Sequence, residues 1–299
     1  MQTMRFITAM LLLGAGMAAA QTQQAAPAPQ QKTFDTPEQA AQALIEAAAA
    51  NDTATLSAIF GPKGATILTS GNAAQDKSER EEFARIAQHK YQIEPDSMNR
   101  DRKILAIGDE DWPFPAPLVR VNGKWSFDSA MGGTMMRARR IGANELDAIE
   151  ICAGFAEAER QYAEQHGGVQ YAQRMLSAPG KDDGLYSDAH PLVPRQFAEA
   201  VMDGVSNAKP KRYHGYYFKV LTAQGPDAPG GRHNYLVKDS LLGGFALVAW
   251  PAEYGVSGVH AFLVNQDGVV YQRDLGRPAN ALVAPVARFD PDPSWKPVN

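Results

Sequence analysis

The sequence predicts an α+β protein, in which helices and antiparallel strands occupy separate stretches of the chain. Helical periodicity precedes short strand-like runs in each half of the chain, rather than alternating with them as in a parallel βαβ protein. In addition, the pairs Asn122-Gly123 and Asp267-Gly268 each separate two strand-like runs, which is the typical signal of a two-residue hairpin turn. We therefore expect two helix-then-sheet units.

The first unit is predicted over residues 34–140. Thr36, Pro37 and Gln39 indicate the N-cap, first turn and capping box of a helix, and alanines and a leucine follow at helical spacing. Further helices are predicted at 53–60 and 78–90, and strands at 103–107, 118–121 and 124–127. Helices followed by a sheet that ends in VNGKWSFD resemble the nuclear-transport-factor-two-like fold, so we expect that arrangement here.

The second unit is predicted over residues 141–299. Residues 144–165 form the longest helix candidate, because Leu146, Ile149 and Ala153 repeat at helical spacing and Gly167-Gly168 can end the helix. A short helix is predicted at 196–205, and strands at 216–222, 234–238, 245–251, 259–265 and 269–274. We expect one long helix packed on an antiparallel meander.

The first residues indicate export. Residues 1–20 carry Arg5, then a short apolar run and the small residues before Gln21, which is typical of a secretory signal peptide cleaved near Ala20. Residues 21–33 are rich in glutamine, alanine and proline, so they predict a disordered linker. We expect a periplasmic or secreted protein without a membrane span after cleavage. The net charge of −4 argues against nucleic acid as a partner.

Residues for catalysis or metal binding are sparse. None of the six histidines lies three or four residues from another, and Gly-rich phosphate loops are absent, so no cofactor is expected. Glu253 and His260, with Asp111, are the candidate acid–base groups of an enzyme. Asp182 and Asp183 are weak candidate calcium ligands in a turn, but calcium prefers six to eight oxygens, so a solvated turn is the favoured interpretation.

Aromatic side chains are the other candidate functional feature. Alternation along residues 213–220 predicts Tyr213, Tyr217 and Lys219 on one face of a strand, with Tyr216 and Phe218 on the other. One face must be core, and the other either binds an envelope protein, peptide or glycan or forms a second packing layer. The candidate partner surface comprises Tyr213, Tyr217, Trp250, Tyr254 and Trp112.

Long motifs carry a family resemblance. The segments are DEDWPFPAPLV (109–119), YHGYYFKVLTAQGPDAPGG (213–231), GGFALVAWPAEYGVSGV (243–259) and NQDGVVYQRDLG (265–276). Together they resemble an exported bacterial family, domain of unknown function 2950, over nearly the whole mature chain. That resemblance implies export and no particular activity.

The second half also resembles the heads of type II secretion pseudopilins, which pair a long helix with a small antiparallel sheet and often carry a calcium loop. The chain departs from them where pilins have an apolar membrane-spanning helix, since residues 130–143 contain Arg137, Arg139 and Arg140. Three functions follow as hypotheses. The first is a non-catalytic binding or scaffolding module, the second a hydrolase acting on envelope polymers, and the third a pilin-like structural subunit.

Overall fold

The computed structural model describes residues 30–70, 73–203, 211–238, 240–283 and 286–298. The predicted signal peptide and most of the predicted linker lie outside these ranges. Residues 30–33, the end of the predicted linker, are described and contact the first part of the chain. The side-chain amide of Gln31 donates to the carbonyl oxygens of Ile59 and Phe127 at 3.0 and 2.7 Å, and the Lys32 amide donates to Ala58.

The helices of the first part begin and end close to their predicted bounds. Thr36 caps α1 by accepting a hydrogen bond from the Gln39 amide at 3.2 Å, and Pro37 occupies the first turn as predicted. Gly61, with a φ of 63°, ends the second helix. The elements are α1 (Pro37–Ala49), α2 (Thr53–Phe60), a 3₁₀ turn (Pro62–Gly64), α3 (Ala65–Leu68) and α4 (Ala73–His89).

An antiparallel sheet follows these helices. Its strands lie in the order β1-β2-β4-β5, with β3 paired to β2. Asn122 and Gly123 adopt φ values of 51° and 77°, which confirms the predicted hairpin turn between β4 and β5. The strands are β1 (Tyr91–Pro95), β2 (Arg102–Ile107), β3 (Trp112–Pro113), β4 (Leu118–Val121) and β5 (Lys124–Phe127). α1, α2 and the sheet enclose an apolar core that includes Leu44, Phe60 and Phe127.

Helix α5 (Ser129–Gln165) is 37 residues long and starts well before the predicted residue 144. Glycines and arginines in residues 130–143 interrupt the apolar helical pattern, so the sequence does not indicate the first turns of this helix. A Cβ on Gly132 would lie 2.6 Å from the Cβ of Ala116, so a close approach to the first part requires glycine there. The predicted division between residues 140 and 141 falls inside this helix.

The second part of the chain contains short elements before its main strands. These are β6 (Arg174–Leu176) and β7 (Gly184–Tyr186), which pair in parallel, and α6 (Arg195–Ala200). The remaining elements are β8 (Tyr216–Leu221), β9 (Ala223–Gln224), β10 (His233–Asn234), β11 (Leu236–Val237), β12 (Ser240–Leu241), β13 (Ala246–Pro251), β14 (His260–Asn265), β15 (Tyr271–Asp274), α7 (Ala279–Val283) and β16 (Lys296–Pro297).

The main sheet of the second part has the order β16-β15-β14-β13-β8, and all neighbouring strands are antiparallel. Both of its faces are covered. Leu247 and Ala249 of β13 face the apolar side of α5, whereas Val248 and Trp250 face a second cluster with α7. This confirms the predicted α+β class, with N-terminal helices and a long helix. Within the described ranges, no helix is both long and apolar enough to cross a membrane.

Candidate functional site

The candidate site lies where the middle of α5 meets two loops of the second part. Asn144 donates to the carbonyl oxygen of Ser257 at 2.8 Å. Glu145 accepts hydrogen bonds from the backbone amides of Val259 and His260 at 2.8 and 3.0 Å, through one carboxylate oxygen. These contacts fix one turn of the helix against the start of β14, so the side chains around them are held in place.

His260 pairs with a carboxylate that the sequence analysis did not select. Its Nδ1 lies 3.1 Å from the second carboxylate oxygen of Glu145. Glu253 instead forms a tight turn, in which its backbone amide and carbonyl oxygen both bond to Ser257. Asp111 pairs with Lys90 at 2.8 Å, beside the first sheet. The described contacts therefore do not join Glu253, His260 and Asp111 to one another.

A second histidine–carboxylate pair involves Asp147, which lies two residues after Glu145 on α5. The Nδ1 of His214 is 2.6 Å from a carboxylate oxygen of Asp147, and both side chains are partly exposed. A tight turn presents the histidine, because the amides and carbonyls of Tyr213 and Tyr216 bond reciprocally. His214 and Gly215 occupy the turn with φ values of 47° and 77°, so two left-handed residues set the direction of the imidazole.

The His214–Asp147 pair lies at the rim of a cavity of about 270 Å³, here called the dyad pocket. Its floor is apolar, and the carboxylates of Asp147 and Glu150 and the imidazole of His214 also line it. Tyr213 lines it as well, with its ring 5.5 Å from that of Phe197. The apolar lining residues are Ile151, Phe155, Leu192, Val193, Pro194, Phe197 and Tyr213.

Of the predicted aromatic surface, only Tyr213 lines this pocket. Trp250 is 2% exposed, and its indole N–H donates to Asn280 at 2.7 Å, so it is a core residue. The ring of Tyr217 lies 5.7 Å from that of Trp250, on the face of the sheet away from α5. Tyr213 and Tyr217 do not share a face as predicted, because the turn at His214 interrupts the strand alternation between them.

The other two predicted aromatics lie elsewhere on the molecule. The hydroxyl of Tyr254 donates to Asp274 at 3.2 Å. Trp112 lies in the first part and is 55% exposed, with the guanidinium of Arg139 5.5 Å from its ring centre. The five predicted residues therefore do not form one continuous surface.

The predicted calcium ligands face basic and N–H groups. Asp183 accepts a hydrogen bond from the Ala178 amide at 2.8 Å and lies 3.8 Å from Arg174. Asp182 lies 3.6 Å from ring nitrogens of both His166 and His190. Across the described part of the chain, no cluster of three or more His, Cys, Asp or Glu residues is arranged to hold a metal ion.

A buried carboxylate lies further along the same helix. Glu159 is 2% exposed, lines a separate cavity of about 410 Å³, and accepts a hydrogen bond from the Ala172 amide at 2.9 Å. Burial raises the pKa of the Glu159 carboxyl from its ordinary 4.5 to about 8, and the Ala172 bond only partly opposes this change. Glu159 is therefore mostly a neutral acid at pH 7.

The fold and the site define a class of protein: an α+β protein whose long central helix carries paired histidine–carboxylate groups beside an apolar pocket. The chain belongs to the family described as Protein of unknown function (DUF2950), which matches residues 31–298. No curated protein and no solved structure shows significant similarity to the chain.

Four residues of the site were not selected by the sequence analysis: Glu145, Asp147, Glu150 and His214. Glu145 is 115 residues from His260, and Asp147 is 67 residues from His214. At such separations no local spacing rule connects a carboxylate with its histidine. On the helix they resemble ordinary solvent-facing charges, so the sequence offers no signal that selects them.

Proposed function

We propose that the chain is an exported binding protein of the bacterial envelope, and that the dyad pocket holds a basic peptide segment. One apolar side chain of the peptide enters the pocket, and a neighbouring lysine or arginine pairs with the acidic rim. The observation that carries this proposal is the combination of an apolar floor with Asp147 and Glu150 at the opening. The signal-like residues 1–20 support the export part of the proposal.

The apolar floor favours a single side chain of leucine or phenylalanine size. A cavity of about 270 Å³ is smaller than the range typical of drug-sized ligands, which begins near 300 Å³. Burying one such side chain contributes about 1.5–3 kcal/mol, enough to anchor a peptide but not to bind it tightly alone. The charged rim must therefore contribute selectivity.

The rim selects positive charge. Asp147 and Glu150 are three residues apart on α5, so their side chains lie on the same side of the helix. His214 bonds to Asp147, whereas Glu150 is exposed and has no hydrogen-bond or ion-pair partner among the described residues. An incoming lysine or arginine therefore meets Glu150 first. Because this ion pair is exposed to solvent, it should contribute only about 0.2–1 kcal/mol and weaken with salt.

Gly154 provides the sharpest test of the pocket. It lines the dyad pocket from α5, and a Cβ at this position would meet no atom within 4 Å. Gly154→Leu should therefore fill the pocket while favouring the helix. Gly142→Leu is the matched control, since Gly142 is an exposed glycine of the same helix with equally open surroundings and does not line the pocket.

The experiment is isothermal titration of the full mature chain with short peptides that carry one phenylalanine flanked by lysines, and with the same peptides flanked by glutamates. We expect the lysine peptides to bind several-fold more tightly than the glutamate peptides, Gly154→Leu to weaken binding at least tenfold, and Gly142→Leu to bind as the wild type does. Glu150→Gln should weaken binding up to about fivefold. Equal binding by both leucine variants, or by both peptide sets, would refute the proposal.

A second candidate is a hydrolase that acts on envelope polymers. The observation that favours it is the Asp147 carboxylate 2.6 Å from the His214 ring, because a carboxylate-oriented imidazole can act as a general base toward water. Its test is turnover of peptidoglycan fragments and activated esters by the wild type and His214→Gln. Turnover that depends on His214 would favour the enzyme, whereas peptide binding without turnover would favour the binding protein.

A further inference from the structure

A second cavity lies in the first part of the chain, and helix α5 contributes lining residues to both this cavity and the dyad pocket. It has a volume of about 220 Å³ and is lined by α1, α2, α3, α4, the β2–β4 region and the first half of α5. We call it the arginine pocket. Its apolar walls are Leu44, Leu56, Phe60, Ile67, Phe83 and Phe114.

Two consecutive arginines of α5 line this cavity. Arg139 donates one N–H to the carbonyl oxygen of Pro113 at 3.0 Å and lies over the ring of Trp112, which leaves other guanidinium N–H groups available. Arg140 is half-buried and has no hydrogen-bond or ion-pair partner in the described part of the chain. A guanidinium without a partner beside apolar walls can form charge-assisted hydrogen bonds to an anionic ligand.

The other charged groups of the arginine pocket have partners within the protein. Asp76 accepts hydrogen bonds from the hydroxyl of Thr69 and from the amide and hydroxyl of Ser70. Arg80 donates to Asn51 and to the carbonyl oxygen of Leu68.

Glu79, the remaining lining carboxylate, is exposed and accepts a hydrogen bond from Gln75 at 2.8 Å. Among the charged lining groups, the one without a partner in the described part of the chain is therefore the positively charged guanidinium of Arg140.

We propose that the arginine pocket binds a medium-chain fatty carboxylate, with the alkyl chain between the phenylalanines and the carboxylate on Arg140 and Arg139. The small volume limits the chain, since drug-sized ligands occupy cavities of about 300 Å³ and more. Each methylene that enters should raise affinity roughly fourfold until the cavity is filled. Trp112 stands at the edge of the same cavity, which accounts for an exposed indole in the first part.

Titration calorimetry of the full mature chain with butanoate, hexanoate, octanoate and 1-octanol tests this proposal. We expect affinity to rise by roughly fourfold per methylene from butanoate to octanoate. The alcohol should bind at least tenfold more weakly than octanoate, because it cannot form a charge-assisted bond to a guanidinium. Equal affinity for octanoate and 1-octanol, or no binding of octanoate, would overturn the proposal.

Arg140→Gln and Arg137→Gln form the matched pair of variants. Arg137 is an exposed arginine of the same helix that does not line the cavity. Arg140→Gln should weaken octanoate binding at least tenfold, and Arg137→Gln should leave it unchanged; equal effects would overturn the proposal. Neither arginine substitution should change peptide binding at the dyad pocket, which Gly154→Leu tests separately.

Discussion

The buried carboxyl of Glu159 makes the stability of the folded protein depend on pH, and a single substitution should remove this contribution. Its carboxyl is 2% exposed and its pKa is raised from 4.5 to about 8 by burial. Between these two pH values the folded chain keeps a proton that the unfolded chain has lost. Stability therefore falls as the pH rises from about 4.5 to about 8, because the unfolded state binds fewer protons over this interval.

The size of the effect follows from the same two values. Each pKa unit corresponds to about 1.4 kcal/mol, so the difference between 4.5 and about 8 corresponds to a loss of roughly 5 kcal/mol across the interval. Glu159→Gln keeps an oxygen that accepts the Ala172 hydrogen bond and removes the titrating proton. The variant should therefore gain stability relative to the wild type as the pH rises.

The assay is urea unfolding of the wild type and Glu159→Gln at several pH values from 4 to 9. In the difference in unfolding free energy between the two proteins, the contributions of all other titrating groups cancel. Glu164→Gln removes an exposed carboxylate of the same helix and controls for the loss of charge. A free-energy difference that stays constant from pH 4 to pH 9 would refute the reasoning and would mean that Glu159 ionises in the folded protein as it does in the unfolded chain.

Three further substitutions test local features of the fold by urea unfolding at pH 7. Thr36→Ala removes the N-cap of α1 and should lose about 1 kcal/mol, and an unchanged midpoint would contradict the cap. Gly215→Ala forces a side chain into φ 77° and to within 2.4 Å of Asn144, so it should lose at least about 1–2 kcal/mol; a neutral effect would contradict this turn geometry. Trp250→Phe leaves a space at a position that is 2% exposed and removes the hydrogen bond to Asn280, so it should lose at least about 1 kcal/mol; an unchanged or raised midpoint would contradict the buried position of Trp250.

The features that sequence predicted well depend on neighbouring residues. Thr36 and Pro37 start a helix, and Asn122-Gly123 turns a hairpin, because caps and tight turns are decided within a few residues. The predicted start of α5, residue 144, was wrong by fifteen residues, because contacts with residues remote in sequence determine the first turns of this helix. Gly132 lowers local helix propensity, and only its contact with Ala116, remote in sequence, shows why a glycine stands there.

The candidate site was harder to predict than the fold. Periodicity identified aromatic residues but not the side that each would face, and the second apolar cluster that buries Trp250 is built from segments without regular periodicity. The histidines were visible, yet their carboxylate partners on α5 come from residues far away along the chain. Long-range pairing of this kind is a property of the folded topology, and short spacing rules do not contain it.

Helix α5 links the two proposed sites mechanically. Arg140 of the arginine pocket and Asp147 of the dyad pocket are separated by about two turns, or roughly 10 Å of rise along one helix. Cutting the chain between residues 140 and 141 would break this helix and leave backbone amides and carbonyls at both new ends without hydrogen-bond partners. Because α5 lines both cavities, a break in this part of the helix would leave neither pocket with its complete lining on one piece of the chain.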